Sequence, residues 1–242
     1  EDNANGTVTV STTGVEDGQT VTITLNSANY TNTITDNATT VTITAAGLQA
    51  LTDGQSYTMT ANVSDAAGNA ASEVTSSAFT VNSSLPTIAA IETSAFSWGA
   101  VLNATEDNSN GTVTVTTTGV DDGQTLTLVL NGANYTGSVS SNSVTVTITD
   151  TGLQALTDGQ SYTMTANVSD ADGNAAAEVT SSSFSVDTTL PSISAIATGA
   201  FSWGASLNAT EDNANGTVTV TTVGVEDGQT VTLVLNGANY TG

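Results

Sequence analysis

Glu106–Val115 reads EDNSNGTVTV, and nearly the same string stands at Glu1–Val10 and at Glu211–Val220, both EDNANGTVTV. The spacing is 105 residues each time. Aligning 1–84 with 106–189 gives 61 identities in 84 positions. A solenoid coil repeats every 20–50 residues, so this period matches a whole small domain instead. The only two prolines, Pro86 and Pro191, lie one period apart after short polar residues, as linker prolines do. Counted from them, residues 85–189 form one complete repeat. Residues 1–84 lack the first 21 positions, and residues 190–242 stop about halfway. The expectation is a tandem array, with the chain a slice of a longer protein: it starts on Glu, and no signal peptide is visible.

Within the complete repeat, apolar residues alternate with Thr or Ser. Thr112–Thr118 is TVTVTTT, Gln124–Leu130 is QTLTLVL, and Val144–Thr149 is VTVTIT. Ser161–Val168 is SYTMTANV and Glu178–Val186 is EVTSSSFSV. Period two marks a strand with one face buried, and the Gly, Asn and Asp clusters between the runs mark turns. A short Tyr135–Ser140 strand and the segment represented by Ser192–Ser206 bring the total to about seven. This predicts all-β, seven-stranded immunoglobulin-like sandwiches in tandem. GLQAL in the Asp150–Gly159 loop reads as a single helical turn. Phe96, Trp98, Tyr162, Met164 and Phe184 are the large core candidates. Trp98 and Trp203 have carbohydrate stacking as a second reading, but AFSWGA is apolar throughout and looks inward-facing.

The composition excludes much. The 242 residues include 23 acidic ones and no Lys, Arg, His or Cys, for a net charge of -23. Nothing can neutralise phosphates, so nucleic-acid binding is excluded, as is docking on an anionic membrane. Disulfides, thiolate zinc sites, thiol nucleophiles and histidine bases are excluded too. No apolar run is long enough to span a bilayer. Hard, oxygen-liking cations remain, because carboxylates, amides and carbonyls are plentiful.

Strand direction says where the carboxylates go. Successive loops of antiparallel strands fall at opposite poles. Asp121, Asp122, Asp170 and Asp172 are expected at the entry pole, beside Pro86. Glu106, Asp107, Asp150, Asp158 and Asp187 are expected at the exit pole. Nine of the repeat's 11 carboxylates therefore face a joint between domains. Two unit charges about 4 Å apart at an effective dielectric near 20 repel by about 4 kcal/mol. A divalent cation would turn that repulsion into ligation, and calcium tolerates loop geometry better than magnesium. Asp and Gly also recur in turns for purely local reasons. The fixed period, the shared poles and the absence of basic partners favour a cation. Asp170-x-Asp172-x-Asn174 starts like an EF-hand loop, but Ala175 and Ser181 stand at its sixth and twelfth positions, so an EF-hand is rejected.

The string SYTMTANVSDADGNAAAEVTSSSFSVDTTLP resembles the end of the bacterial Ig-like extender repeats of giant RTX adhesins, and the resemblance covers the whole chain. VSDADGN followed by VDTTLP carries it most specifically. It implies a spacer that holds a terminal binding domain away from the outer membrane of a Gram-negative cell. It also implies calcium at the joints, neighbouring repeats as partners, and type I secretion without disulfides. By position, Asp170, Asp172, Asn174 and Asp187 match the ligands. Asn82 departs from the DTTLP pattern at the first joint, and Ala67 stands where the next repeat has Asp172, so the repeats are expected to differ in affinity. The full set of candidate ligands is Asp2, Asp53, Asn82, Glu106, Asp107, Asp121, Asp122, Asp158, Asp170, Asp172, Asn174, Asp187, Glu226 and Asp227.

Two other functions compete. An adhesive module for sugar, ice or a protein would use Thr-x-Thr strings such as Thr112–Thr114. Those are also the ordinary solvent face of a half-buried strand. An enzyme would need a carboxylate pair. Glu106-Asp107 are adjacent, so on a strand they would point apart, and their recurrence in every repeat suits structure better than catalysis.

Overall fold

The structure, a computed structural model, describes residues 3–242. The chain forms two compact units. One comprises Glu1–Thr87, Thr117–Gln124 and Val168–Ala177; the other comprises Ile88–Thr116, Thr125–Asn167 and Glu178–Gly242. Asp2 lies outside the described residues. No helix among the described residues is long and apolar enough to cross a membrane.

The first repeat holds β1 (Gly6–Ser11), β2 (Thr20–Leu25), β3 (Ala28–Thr33), β4 (Ala38–Ile43), α1 (Ala45–Gln49), β5 (Ser56–Tyr57), β6 (Met59–Asn62), β7 (Val74–Thr75) and β8 (Phe79–Thr80). They make three sheets: β1-β4, β3-β2-β6-β7 and β5-β8. Val21, Ile23, Leu25, Ile34, Val41 and Ile43 form the core.

The complete repeat adds β9 (Thr87–Ile88), β10 (Val101–Asn103), β11 (Gly111–Thr118), β12 (Thr125–Leu130), β13 (Ala133–Ser138) and β14 (Ser143–Ile148). There follow α2 (Asp150–Gln154), β15 (Ser161–Tyr162), β16 (Met164–Asn167), β17 (Val179–Thr180) and β18 (Phe184–Asp187). Their orders are β14-β11-β9, β13-β12-β16-β17 and β10-β18-β15. The last part holds β19 (Ser192–Ile193), β20 (Thr222–Val223), β21 (Thr232–Leu235) and β22 (Ala238–Thr241).

The expected alternation is present. β11 buries Val113 and Val115 and turns Thr114, Thr116 and Thr118 outward. β12 and β13 join through Asn131-Gly132, both at positive φ (49° and 78°), the two-residue turn that matches strand twist. Thr149 caps α2 by accepting from the Gly152 amide. The complete repeat has ten strands rather than seven because three expected strands are broken, the first of them, the counterpart of 192–206, into β9 and β10. Ser161–Val168 divides into β15, which pairs with β18, and β16, which pairs with β12. Glu178–Val186 divides into β17 and β18 in the same way. Each polypeptide run crosses between sheets at the break, as strands do at the corners of a sandwich.

Four of the five core candidates are buried: Phe96, Trp98, Met164 and Phe184. Tyr162 is half-buried, and its hydroxyl accepts from the Thr157 amide at 2.9 Å. Trp98 is 5% exposed, stacked on Phe96 at 5.4 Å and edge-on to Phe184 at 5.3 Å. This is a core ring with no face left for a sugar.

Candidate metal centre

The DADGN loop turns on Asp170. Its Oδ1 accepts from the amides of Asp172 (3.1 Å) and Asn174 (2.8 Å), and its Oδ2 accepts from Asn174 Nδ2 (2.8 Å). Gly173, at φ 94°, gives the loop its reversal. Asp170 is only 4% exposed. The Asn174 side chain and these amides hold its carboxyl below the usual aspartate range, against the opposing effect of burial. Asp121 closes the far side, its Oδ2 accepting from the Ala171 amide at 2.9 Å.

The first repeat builds the same loop without a second carboxylate. Asp65 Oδ1 accepts from the Asn69 amide at 2.7 Å, Asp65 Oδ2 accepts from Asn69 Nδ2 at 2.8 Å, and Glu16 accepts from the Ala66 amide at 2.9 Å. Ala67 occupies the place of Asp172. The loop fold therefore needs Asp170 but not Asp172. The side-chain partner of Asp172 is Asn82, whose Nδ2 donates to Asp172 Oδ2 at 2.7 Å and to Asp170 Oδ2 at 3.4 Å. Asn174 Nδ2 returns a bond to the Asn82 carbonyl at 3.1 Å. Asn82, Asp170, Asp172 and Asn174 are thus brought together, with an amide NH₂ set between two carboxylates.

The other candidates are placed elsewhere. Asp53 Oδ1 accepts from the Ser83 amide (2.6 Å) and hydroxyl (3.2 Å), and its Oδ2 accepts from the Ser84 hydroxyl (2.7 Å). Asp158 does the same with Thr188 N (2.7 Å), Thr188 Oγ1 (3.3 Å) and Thr189 Oγ1 (2.7 Å). These bonds lower both carboxyls, led by the Ser83 amide for Asp53 and the Thr189 hydroxyl for Asp158. Glu106 Oε2 accepts from the Asn103 amide, and Asp107 Oδ1 from Asn108 Nδ2. Asp187 Oδ1 accepts from the Thr189 amide at 3.3 Å. Asp122, Glu226 and Asp227 stand in exposed turns. Among the described residues, no three acidic side chains are grouped closely enough to hold a metal ion by themselves. Any centre must therefore draw on amides and carbonyls as well.

Sequence reasoning missed the linker hydroxyls. Ser83-Ser84 and Thr188-Thr189 are the same hydrogen-bonding pair one period apart, always 30 or 31 residues after the Asp that binds them. The signal was conservation of the hydroxyl between repeats while the residue changed.

No protein-family model matches the chain, nor does any curated protein. Solved structures do. A Ca²⁺-stabilised adhesin that helps an Antarctic bacterium reach out and bind ice is 28% identical with a TM-score of 0.50; the match covers 100% of this chain and 58% of that one. A 1.5-MDa bacterial ice-binding adhesin is 28% identical with a TM-score of 0.45, over 78% of this chain and 59% of that one. A bacterial immunoglobulin-like domain from the M. primoryensis ice-binding adhesin is 31% identical with a TM-score of 0.31, over 43% of this chain and 96% of that domain. The chain thus spans less than two thirds of the first two.

Proposed function

We propose a spacer role for this chain, which belongs to the immunoglobulin-like extender repeats of bacterial adhesins: it carries a distal binding domain away from the cell surface, and calcium stiffens its joints. The repeats 1–84, 85–189 and 190–242 are the successive units of that spacer. Its partners are the neighbouring repeats, and its role is mechanical rather than catalytic. The compartment is extracellular, on a Gram-negative surface reached by type I secretion.

The observation that carries the calcium reading is the meeting of Asn82 with Asp170, Asp172 and Asn174. Two carboxylates face one spot, and the chain has no basic side chain to put there. An amide NH₂ occupies it instead. The donor set is oxygen throughout once the Asn82 carboxamide presents its Oδ1, and it suits a hard cation. Asp170 and Asp172 would supply charge, and Asn82 and Asn174 neutral oxygens. A bound cation supplies charge compensation and a cross-link between loop and linker. Asp121 supports the loop through Ala171. Asp187 replaces Asn82 one period later and would bring a carboxylate to its joint in place of a carboxamide, so the two joints differ in affinity. Asp53, Asp158, Glu106, Asp107, Asp122, Glu226 and Asp227, and Asp2 outside the described residues, are outer acidic groups that raise local cation concentration. Dissociation constants of about 10⁻⁴–10⁻³ M suffice outside the cell.

The test is thermal unfolding and small-angle scattering in 5 mM calcium (about five times the weaker of those constants) and in EDTA, for the wild type and for Asp172→Asn. Calcium should raise the Tm and lengthen the particle in the wild type, and do so less in the variant. Identical curves in calcium and EDTA would sink the reading.

A further inference from the structure

We infer, resting on the calcium reading above, that the Asn82 carboxamide is a neutral stand-in for the cation: it clamps its linker when calcium is absent and turns over to become a ligand when calcium binds. Asn82 stands in the linker, and the acidic loop it meets lies within 168–177. Both belong to the first compact unit.

Asn82 engages that loop twice. Its Nδ2 donates to Asp172 Oδ2 at 2.7 Å and to Asp170 Oδ2 at 3.4 Å, and its main-chain carbonyl accepts from Asn174 Nδ2 at 3.1 Å. Asp170 Oδ2 accepts from Asn174 Nδ2 as well, at 2.8 Å. Two carboxamides thus do between two carboxylates what a lysine or arginine does in other proteins, in a chain that has neither. Bonds from N–H to a carboxylate are charge-assisted and stronger than neutral ones. The loop does not need the linker for its own fold. In the first repeat Asp65 and Asn69 close the same loop with Ala67 at the place of Asp172. What Asp172 adds is the contact with the linker.

A carboxamide suits both states because its two ends differ. Nδ2 carries two donors, and Oδ1 is an acceptor. The last torsion of Asn is broad and two-fold, so a half-turn about it exchanges the ends with no shift of the backbone. With Nδ2 inward, the side chain satisfies two carboxylates. With Oδ1 inward, it is a neutral oxygen ligand of the kind calcium accepts. An ionised aspartate has only the second state, since both of its ends are oxygen. Asp187, one period later, is such a residue, and its Oδ1 accepts from the Thr189 amide at 3.3 Å. A carboxylate in the place of Asn82 would meet Asp170 and Asp172 with no donor, and only a cation could join them. Joints with Asn at this position should therefore stay clamped when calcium falls, and joints with Asp should loosen. Calcium also binds the Asn joint more weakly, because it must displace two hydrogen bonds and finds one carboxylate fewer.

The test compares the 242-residue chain with its Asn82→Asp and Asn82→Ala variants, in EDTA and in about 5 mM calcium. The readouts are nitrogen relaxation at residues 82–85, proton exchange of the Asn82 side-chain amide, and the calcium dissociation constant. In EDTA the wild-type linker should be as ordered as the strands beside it, with the Asn82 NH₂ protons slowed relative to free asparagine. Calcium should abolish that slowing as Oδ1 turns inward. Both variants should lose linker order in EDTA. Calcium should restore it in Asn82→Asp, which should bind the ion at least about tenfold more tightly than wild type, as an added carboxylate ligand does. A variant linker as ordered in EDTA as that of the wild type overturns the inference. So do Asn82 protons that exchange freely in EDTA, or that stay slowed with calcium bound. If no protein responds to calcium while both variants lose linker order in EDTA, the calcium reading fails and the calcium-free clamp is upheld.

Discussion

The first two repeats are close to a controlled experiment on one fold. They share 61 of 84 aligned residues, and the second is seen here together with the segment 85–105 that packs against it. Where the sequences agree, burial still differs. Met164 and Val113 are fully buried, and Phe184 is 1% exposed, while their counterparts Met59, Val8 and Phe79 are only half-buried. The hairpin sheets do not share this loss. Ile23, Leu25, Val41 and Ile43 are as buried as Leu128, Leu130, Val146 and Ile148. The segment with Phe96 and Trp98 therefore acts as a wedge that closes one side of a sandwich whose other side closes unaided. A residue's stability contribution is then set by whether the wedge is present, not by its own identity.

The largest expected effect is at the aromatic cluster. Phe184 meets Phe96, Trp98 and Tyr162 at ring distances of 5.7 Å, 5.3 Å and 6.2 Å, whereas among the described residues Phe79 has Tyr57 alone, at 6.2 Å. Phe184→Ala should cost about 3–5 kcal/mol, as truncation of a buried Phe does. Phe79→Ala should cost about half as much or less, because its ring is still partly in water. Native-state hydrogen exchange, read repeat by repeat, measures both. Equal losses would show that the wedge is not what buries Phe184.

A smaller effect follows at one glycine. A Cβ at Gly111 would run into the six-membered ring of Trp98 and lie 3.1 Å from Leu153. At Gly6 it would meet only the flexible end of Leu48, at 3.2 Å. Gly111→Ala should therefore destabilise by about 1–3 kcal/mol through overpacking. Gly6→Ala should be close to neutral, since added strand propensity offsets a small side-chain adjustment. Reversal of that order would refute the wedge account.

These contrasts also show what could be read beforehand. The period, the linkers at Pro86 and Pro191, and the inward Val and outward Thr of β11 were legible, because they depend on local pattern. The breaks that send β15 and β16 to different sheets were not: SYTMTANV alternates smoothly through Thr163, and only the partners β18 and β12 divide it. At the site, the DADGN loop stood out by composition. The engagement of Asp172 by Asn82, 90 residues away, did not, because a long-range side-chain pair leaves no period in the sequence. Asp53 and Asp158 are candidate ligands by sequence. Both are already engaged by linker amides and hydroxyls.

The smallest effect is that of acid. Asp53, Asp65 and Asp158 are all held below the usual aspartate range by accepted hydrogen bonds, chiefly from the Ser83 amide, the Asn69 side chain and the Thr189 hydroxyl respectively. A depressed carboxyl binds fewer protons folded than unfolded, so its contribution is complete above the unfolded value of about 3.9 and is lost as pH falls through the folded value. Protonation also relieves repulsion among 23 acidic residues, which acts in the opposite direction. Comparing variants separates the two. Asp65→Asn removes one titrating group and keeps an oxygen acceptor, so denaturant midpoints of wild type and variant should converge as pH falls from about 5 to about 2. Asp158→Asn should behave alike in the second repeat, because Thr188 and Thr189 hold Asp158 as Ser83 and Ser84 hold Asp53. If the gap between wild type and either variant stayed constant across that range, the carboxylate's charge would play no part in holding the loop or the linker.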